Sequence, residues 1–178
     1  MKSIVVYCAS SIGVNPIYRQ IAQETGKALA NRNIRLVYGG GNGGLMGEVA
    51  DAVLANGGQV TGIIPHFLAD LEVAHQNLTE IEFVETMHQR KSRMVALSDG
   101  VITLPGGYGT LDELFEILAW RQLKIFHGPI GVLNANGFYD ALLLHADRMT
   151  AEGFLKPENR KLILVADTID GLLTKMGV

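Results

Sequence analysis

The 178-residue sequence contains a single cysteine, no long apolar run and no excess of basic residues. Cys8 cannot form an intrachain disulfide, which is typical of proteins of the reducing cytoplasm. No apolar run approaches the roughly 20 residues of a membrane span, and the first residues lack a cleavable signal pattern. A net charge of −3 argues against nonspecific electrostatic capture of nucleic acid. We therefore expect a cytoplasmic protein with neither a membrane nor a nucleic acid as its partner.

The composition and the apolar runs predict the fold class. Apolar residues make up 48% of the chain and charged residues 19%, which predicts a single globular domain over residues 1–178. Short, almost fully apolar runs alternate with segments of helical length, as in an α/β fold whose parallel, doubly wound sheet has helices on both faces. The predicted strands are 4–7, 34–37, 59–64, 81–84, 100–104, 130–133 and 162–165. The predicted helices are 16–32, 45–55, 87–97, 110–123 and 138–152, with a terminal helix capped by Asp167.

Three segments rich in glycine or serine directly follow predicted strands. They are residues 8–11, 39–44 and 106–110. Ligands of open α/β sheets bind at the carboxyl ends of the strands. We therefore expect all three segments to open onto one edge of the sheet and to form a ligand site there.

The segment Pro-Gly-Gly-Tyr-Gly-Thr at 105–110 joins a buried strand to a helix. Glycines allow the backbone to approach a ligand closely, and the free amides and dipole of a helix N-terminus favour an anion. The alternative is a tight turn that binds nothing. Three glycines in four positions favour a phosphate site. Its residues would be Gly106, Gly107, Tyr108, Gly109 and Thr110.

The earlier glycine cluster, residues 39–44, contains Gly-x-Gly-x-x-Gly but follows the second predicted strand. A dinucleotide fingerprint also needs an acidic residue after the next strand, and a nucleoside-triphosphate loop needs Gly-Lys-Ser/Thr. Both features are missing. We interpret the cluster, including Gly40 and Gly41, as closely packed backbone that lines the ligand.

Glu113 has two interpretations. Together with Thr110 it fits a capping box, in which the glutamate only bonds back to the start of the helix. The same position can instead point a carboxylate at the sugar of a nucleotide whose phosphate lies on the loop. There it would stabilise an oxocarbenium-like transition state or orient water. The spacing alone leaves both interpretations open.

Arg90 falls on the same helical face as Met87 and Met94. A charge within an apolar stripe needs a partner, and we interpret Arg90 as a ligand-binding group in preference to a snorkelling or core-paired one. From the helix alone, Lys91 and Arg93 are interpreted as surface charges or supporting groups. The five histidines show no metal-ligand spacing, so each is interpreted as structural and no metal is predicted.

Taken together, these segments resemble the LOG family of cytokinin riboside 5′-monophosphate phosphoribohydrolases over nearly the whole chain. The most specific motifs are Met-His-Gln-Arg-Lys at 87–91 and Pro-Gly-Gly-Tyr-Gly-Thr-Leu-Asp-Glu at 105–113. Tyr-Gly-Gly-Gly at 38–41, Gly-Leu-Met-Gly at 44–47 and Gly-Ile-Ile-Pro at 62–65 support them. The resemblance implies a Rossmann-like fold, no metal or other cofactor, and a homodimer or dimer-based oligomer.

The resemblance also implies a reaction and its residues. The substrate would be an N6-modified AMP, or AMP itself, cleaved at the N-glycosidic bond to free base and ribose 5-phosphate. Arg90 and Glu113 would be the catalytic pair. Further substrate-binding positions would be Ser10, Glu72, Met87 and Lys91.

Asn42-Gly43, Asp112 and Ala119 depart from the usual family residues and leave the preferred base open. Two other functions fit the same fold: a non-catalytic carrier of a nucleotide or a molybdenum-cofactor-type ligand, and a broad purine nucleotide nucleosidase. The presence of both Arg90 and Glu113 favours an enzyme. An older label of the family, lysine decarboxylase, has no support, because no lysine lies in an evident cofactor motif.

Overall fold

The computed structural model describes residues 1–69 and 73–178. Within these residues, seven parallel strands form one sheet in the order β4-β3-β2-β1-β5-β6-β7. The strands are β1 (Ser3–Tyr7), β2 (Arg35–Tyr38), β3 (Val60–Pro65), β4 (Glu80–Val84), β5 (Gly100–Thr103), β6 (Ile130–Leu133) and β7 (Ile163–Ala166). The helices are α1 (Ile17–Asn31), α2 (Gly44–Ala55), α3 (His66–Ala69), α4 (Met87–Ala96), α5 (Tyr108–Gln122), α6 (Asp140–Ala151), α7 (Pro157–Arg160) and α8 (Ile169–Met176).

The central strands are buried on both faces, which explains why they contain few polar residues. Every residue of β3, β5 and β6 is buried. Alternate residues serve two apolar layers: Val6 and Ile102 pack toward α1, α2 and α8, whereas Val5 and Val101 pack toward α4, α5 and α6. The predicted α/β class and doubly wound parallel sheet are confirmed.

The strand order creates a crevice beside β1. The chain runs outward from β1 to β4 and then returns to place β5 on the other side of β1. The loops that follow these strands are joined, since the Ala9 amide donates to the Pro105 carbonyl at 3.3 Å and the Met46 amide donates to the Ala9 carbonyl at 3.3 Å. The three predicted loops therefore lie at one edge of the sheet, at the point where ligands of such folds bind.

One local prediction is wrong, and two short elements were not predicted. The helix predicted over 138–152 is present as α6, and a 3₁₀ turn at Ala135–Gly137 precedes it. Asn134 holds this turn, because its side chain accepts from the Tyr139 amide at 2.7 Å. The terminal helix is capped by Thr168, whose hydroxyl accepts from the Gly171 amide at 3.3 Å, and not by Asp167. The single turn α7 was not predicted, since four residues are too short to show helical periodicity.

Two further features concern the single cysteine and the length of the helices. Cys8 is a buried, free thiol. In the two described stretches, no helix is both long and apolar enough to cross a bilayer.

Candidate active site

A cleft of about 330 Å³ opens at the carboxyl ends of β1 and β5. Its walls come from the loop after β1, the start of α2, α4 and the beginning of α5, with Met46 and Leu68 contributing apolar surface. Most of the predicted site residues line it together. They are Ser10, Met87, Arg90, Gly107, Tyr108, Gly109, Thr110 and Glu113.

The remaining predicted site residues lie elsewhere. Gly40 and Gly41 are buried beneath residues 73–75, where the His75 amide donates to the Gly40 carbonyl at 3.0 Å. Gly106 packs against Thr110 and is not among the residues that line the cleft. Glu72 lies outside the described residues. Ala119, one of the departures from the family pattern, lines an apolar groove between α5 and α6 and not this cleft.

The phosphate loop contains glycines of two kinds. A side chain at Gly106 would overlap the side chain of Thr110, so the protein's own packing requires glycine there. A Cβ at Gly107 or Gly109 would meet nothing within 4 Å. Both glycines line the cleft, and a backbone that must admit a ligand requires such free space beside it.

Helix α5 begins earlier than predicted, and this removes the capping-box interpretation of Glu113. Gly107 in extended conformation is the N-cap, and no side chain caps the helix. Thr110 is therefore the third helical residue, and Glu113 lies beyond the first turn. The N-cap glycine has no side chain with which to satisfy the first amides of the helix, and Glu113 stands at the cleft wall.

The charge of Glu113 affects two buried groups next to it. Burial, and then the nearby Glu113 carboxylate, raise the pKa of the Cys8 thiol. Burial also raises the pKa of the Tyr7 phenol, with further contributions from Glu113 and Glu116. Both groups stay protonated at neutral pH, so Cys8 does not supply a thiolate nucleophile to the cleft.

Arg90 lies at the base of the cleft and is only 6% exposed. Its Nε donates to the Ile63 carbonyl at 3.1 Å and its Nη2 donates to the Gly39 carbonyl at 2.5 Å. Its Nη1 lies 3.9 Å from Met87 Sδ. A side chain at position 39 would overlap the guanidinium. The ends of β2 and β3 therefore hold the arginine in one orientation, with Gly39 leaving the space that it occupies.

The start of α4 determines which side chains of the helix face the protein interior, and Arg90 is one of them. Thr86 and Gln89 form a capping box, in which the Thr86 hydroxyl accepts from the Gln89 amide at 3.2 Å and Gln89 Oε1 accepts from the Thr86 amide at 3.3 Å. The Thr-x-x-Gln pattern could have revealed this cap from the sequence. It fixes the first turn of the helix that carries Arg90 and Lys91.

Lys91 is buried, at 7% exposure, so the surface-charge interpretation is wrong. Its Nζ lies 3.0 Å from Asp112 Oδ2 and 3.1 Å from Glu116 Oε1, both on α5. Burial lowers the pKa of Lys91, but hydrogen bonds to the two carboxylates outweigh it, and the pKa is raised. Lys91 thus joins α4 to α5 behind the cleft, in the supporting position that was its alternative interpretation.

The chain is similar in sequence to a described protein family and to named plant enzymes. Residues 46–176 match the family described as "Possible lysine decarboxylase". Over 175 residues the chain is 45% identical to the cytokinin riboside 5′-monophosphate phosphoribohydrolase LOG1 of Arabidopsis thaliana, covering 98% of this chain and 82% of that protein. It is 46% identical to the probable enzyme of the same description, LOGL9, of Oryza sativa subsp. japonica, with 98% and 77% covered.

Two solved structures share the fold at low sequence identity. The molybdenum cofactor binding protein of Rippkaea orientalis superposes with a TM-score of 0.74 at 18% identity, covering 99% of this chain and 96% of that chain. The molybdenum cofactor carrier protein of Chlamydomonas reinhardtii gives a TM-score of 0.71 at 17% identity, with 98% and 95% covered. These similarities show a common architecture.

Exchanging the two kinds of loop glycine for alanine tests whether the open side of the loop admits a phosphate. Gly107→Ala should weaken binding of ribose 5-phosphate by about tenfold or more, equivalent to about 1.4 kcal/mol, because it adds a methyl group to a residue that lines the cleft. Its free energy of unfolding should stay within about 0.5 kcal/mol of the parent. Titration calorimetry and urea unfolding measure the two quantities.

Gly106→Ala is the matched control for that experiment. Its methyl meets Thr110, so it should lower the free energy of unfolding by about 1–3 kcal/mol. Parent-like affinity for ribose 5-phosphate in Gly107→Ala would show that the loop does not hold the phosphate.

Proposed function

We propose that this chain, which belongs to the LOG family of cytokinin riboside 5′-monophosphate phosphoribohydrolases, hydrolyses the N-glycosidic bond of an N6-modified AMP. The products are the free base and ribose 5-phosphate, and AMP itself is a second candidate substrate. One observation carries the proposal: Arg90 and Glu113 line the same cleft as the open helix N-terminus.

The beginning of α5 supports phosphate binding. The helix has 15 residues and no side-chain cap, so its first amides and its dipole are available to an anion. Gly107 and Gly109 keep the approach clear, and the Thr110 hydroxyl adds a donor. We assign the 5′-phosphate to this loop, which fixes the nucleotide by the part that does not react.

The position of Glu113 supports a role at the sugar. Side chains of a helix lean toward its N-terminus, so the carboxylate leans toward the bound phosphate and the ribose attached to it. When the bond between C1′ and the base nitrogen breaks, its electron pair leaves with the base and positive charge develops on the sugar. Glu113 stabilises that charge. Water then adds its hydroxyl to C1′, and the balancing proton goes to the base.

Arg90 supplies a positive charge whose position is set before substrate arrives. The carbonyls of Ile63 and Gly39 hold the guanidinium, so little reorganisation is needed during the reaction. We assign it the neutralisation of negative charge on the substrate and the alignment of the nucleotide against Glu113.

Two alternatives remain open to experiment. A carrier of a nucleotide or molybdenum-cofactor-type ligand would bind tightly without turnover, and the solved carriers share this fold. A broad purine nucleotide nucleosidase would cleave AMP and GMP as fast as an N6-modified AMP. The presence of both Arg90 and Glu113 in one cleft favours an enzyme, and relative rates on the three nucleotides separate the two enzymes.

Chromatography of the reaction with N6-isopentenyl-AMP tests the activity. Purified protein should release free isopentenyladenine and ribose 5-phosphate. Glu113→Gln removes the charge that stabilises the transition state, and Arg90→Ala removes the guanidinium. Each should lower kcat/KM by at least about 100-fold, the usual cost of losing one such group, with cooperative unfolding retained.

The surface ion pair of Arg148 and Glu152 provides the control, since its atoms lie 2.7 Å apart on the exposed face of α6. Arg148→Ala and Glu152→Gln make the same chemical changes away from the cleft and should leave turnover unchanged. Parent-like turnover in Glu113→Gln or Arg90→Ala would refute the assignment, and tight nucleotide binding without any release would favour the carrier.

We also infer that the protein is a homodimer or a dimer-based oligomer, as the family resemblance implies. Large apolar side chains are exposed on and after α5 and on α6, where Phe115 is 43%, Leu123 66%, Ile125 63% and Leu144 71% exposed. Burial of these side chains against a second copy would remove apolar surface from water.

Light scattering at micromolar protein concentration should give the mass of two chains, or of an even number of them. The apolar side chains on α5 and α6 give the physical reason. A mass of one chain at that concentration would contradict the oligomer. The compartment that we propose is the reducing cytoplasm, which is compatible with the free, buried thiol of Cys8.

A further inference from the structure

Residues 73–77 cross over the glycine cluster beside the cleft, and we call them the strap. The Asn42 amide donates to the Val73 carbonyl at 3.0 Å, and the His75 amide donates to the Gly40 carbonyl at 3.0 Å. These backbone hydrogen bonds join the strap to the loop that follows β2. The position of the loop and the position of the strap are therefore coupled.

The side chain of His75 anchors the strap. It is 5% exposed, whereas the other four histidines lie at the surface. Its Nε2 lies 3.0 Å from Asp51 Oδ1 on α2, and its Nδ1 accepts from the Asn77 amide at 3.2 Å. Because Nδ1 is the acceptor, Nε2 carries the hydrogen and donates it to Asp51. Both ring nitrogens are therefore engaged, one with α2 and one with the strap itself.

The strap lies one peptide unit away from the contact that orients Arg90. Gly40, whose carbonyl accepts from the strap, has a φ of +78° and little free space around its Cα. The carbonyl of the preceding Gly39 accepts from Arg90 Nη2. A shift of the strap would therefore rotate the peptide unit between Gly39 and Gly40. That rotation would move the Gly39 carbonyl, which accepts a hydrogen bond from the guanidinium.

The first residues of the strap are also bonded to α3, which contributes to the wall of the cleft. The Ala74 amide donates to the Ala69 carbonyl at 3.0 Å, at the end of α3. Leu68 of α3 lines the cleft. The same anchored segment thus contacts both the apolar wall of the cleft and the glycine cluster behind Arg90.

We propose that His75 is a positioning residue for the hydrolysis: held by Asp51, it fixes the strap and thereby the Gly39 carbonyl that orients Arg90. The inference rests on the proposed function. His75 is not among the residues that line the cleft, so it acts through Arg90 and does not contact the reacting atoms. Its replacement should impair the chemical step more than substrate binding.

Steady-state kinetics with N6-isopentenyl-AMP, well below the unfolding temperature, tests this role. His75→Ala should lower kcat by about ten- to a hundredfold, the usual result of a displacement of about 1 Å at a catalytic group, with a smaller change in KM. Asp51→Asn keeps an oxygen acceptor for Nε2–H and should retain most of kcat. Asp51→Ala, which leaves that donor to water, should give an intermediate loss.

A double variant separates action through Arg90 from a general effect. Arg90→Lys keeps the charge but loses the planar fork that reaches the Gly39 carbonyl. In that background, His75→Ala should cause little further loss, because both changes remove the same interaction. Fully additive losses would overturn the proposal.

Thr25→Val is the control for a loss of stability alone. Its hydroxyl donates to the Ile21 carbonyl at 2.7 Å within α1, and it is buried away from the cleft residues. This variant should lower the unfolding temperature and leave kcat unchanged. An equal fall of kcat in Thr25→Val would show that His75→Ala acts only through stability.

Hydrogen exchange provides a readout that does not depend on turnover. In His75→Ala, the amides of Asn42 and of the alanine at position 75 should exchange faster than the same amides of the parent, whereas amides of β5 and β6 should keep their protection. Unchanged exchange at Asn42, or unchanged kcat in an active enzyme, would overturn the proposal. Absence of base release by the parent protein would instead refute the proposed function, and the exchange rates would still decide whether His75 anchors the strap.

Discussion

The buried guanidinium of Arg90 is the constraint on which the cleft depends. A charge at 6% exposure is costly unless polar groups replace its water. The carbonyls of Ile63 and Gly39 supply part of that replacement, from the ends of two neighbouring strands. The parallel sheet therefore does more than form a core, because the register of β2 and β3 places two acceptors where one arginine from α4 reaches both.

The glycines of the chain serve two different physical purposes around this arginine. Gly39 and Gly106 leave room for other protein atoms, the guanidinium in one case and Thr110 in the other. Gly107 and Gly109 leave room that no described protein atom fills within 4 Å. Gly39 and Gly106 thus determine the shape of the site, whereas Gly107 and Gly109 leave its entrance open at the start of α5. In the proposed reaction, the phosphate occupies that entrance and Glu113 faces the sugar.

Much of this arrangement could be predicted from the sequence, because it follows from local patterns. Fully apolar runs indicated a parallel sheet, and glycine-rich segments after them indicated its ligand-binding edge. Other features depend on contacts between distant segments. The burial of Lys91 requires Asp112 and Glu116 from another helix, and no pattern around His75 points to Asp51. The Thr-x-x-Glu spacing also left a capping box open, because it does not reveal that α5 begins two residues before Thr110.

Gly39→Ala tests the central claim most directly. The backbone of Gly39 does not have a positive φ, so alanine acts through the space it takes, which overlaps the guanidinium and comes within 3.3 Å of Met46 Sδ. The rate of base release from N6-isopentenyl-AMP should fall by at least about 100-fold, approaching that of a protein without the arginine, while unfolding stays cooperative. A Gly39→Ala protein that releases the base at the parent rate would contradict the account.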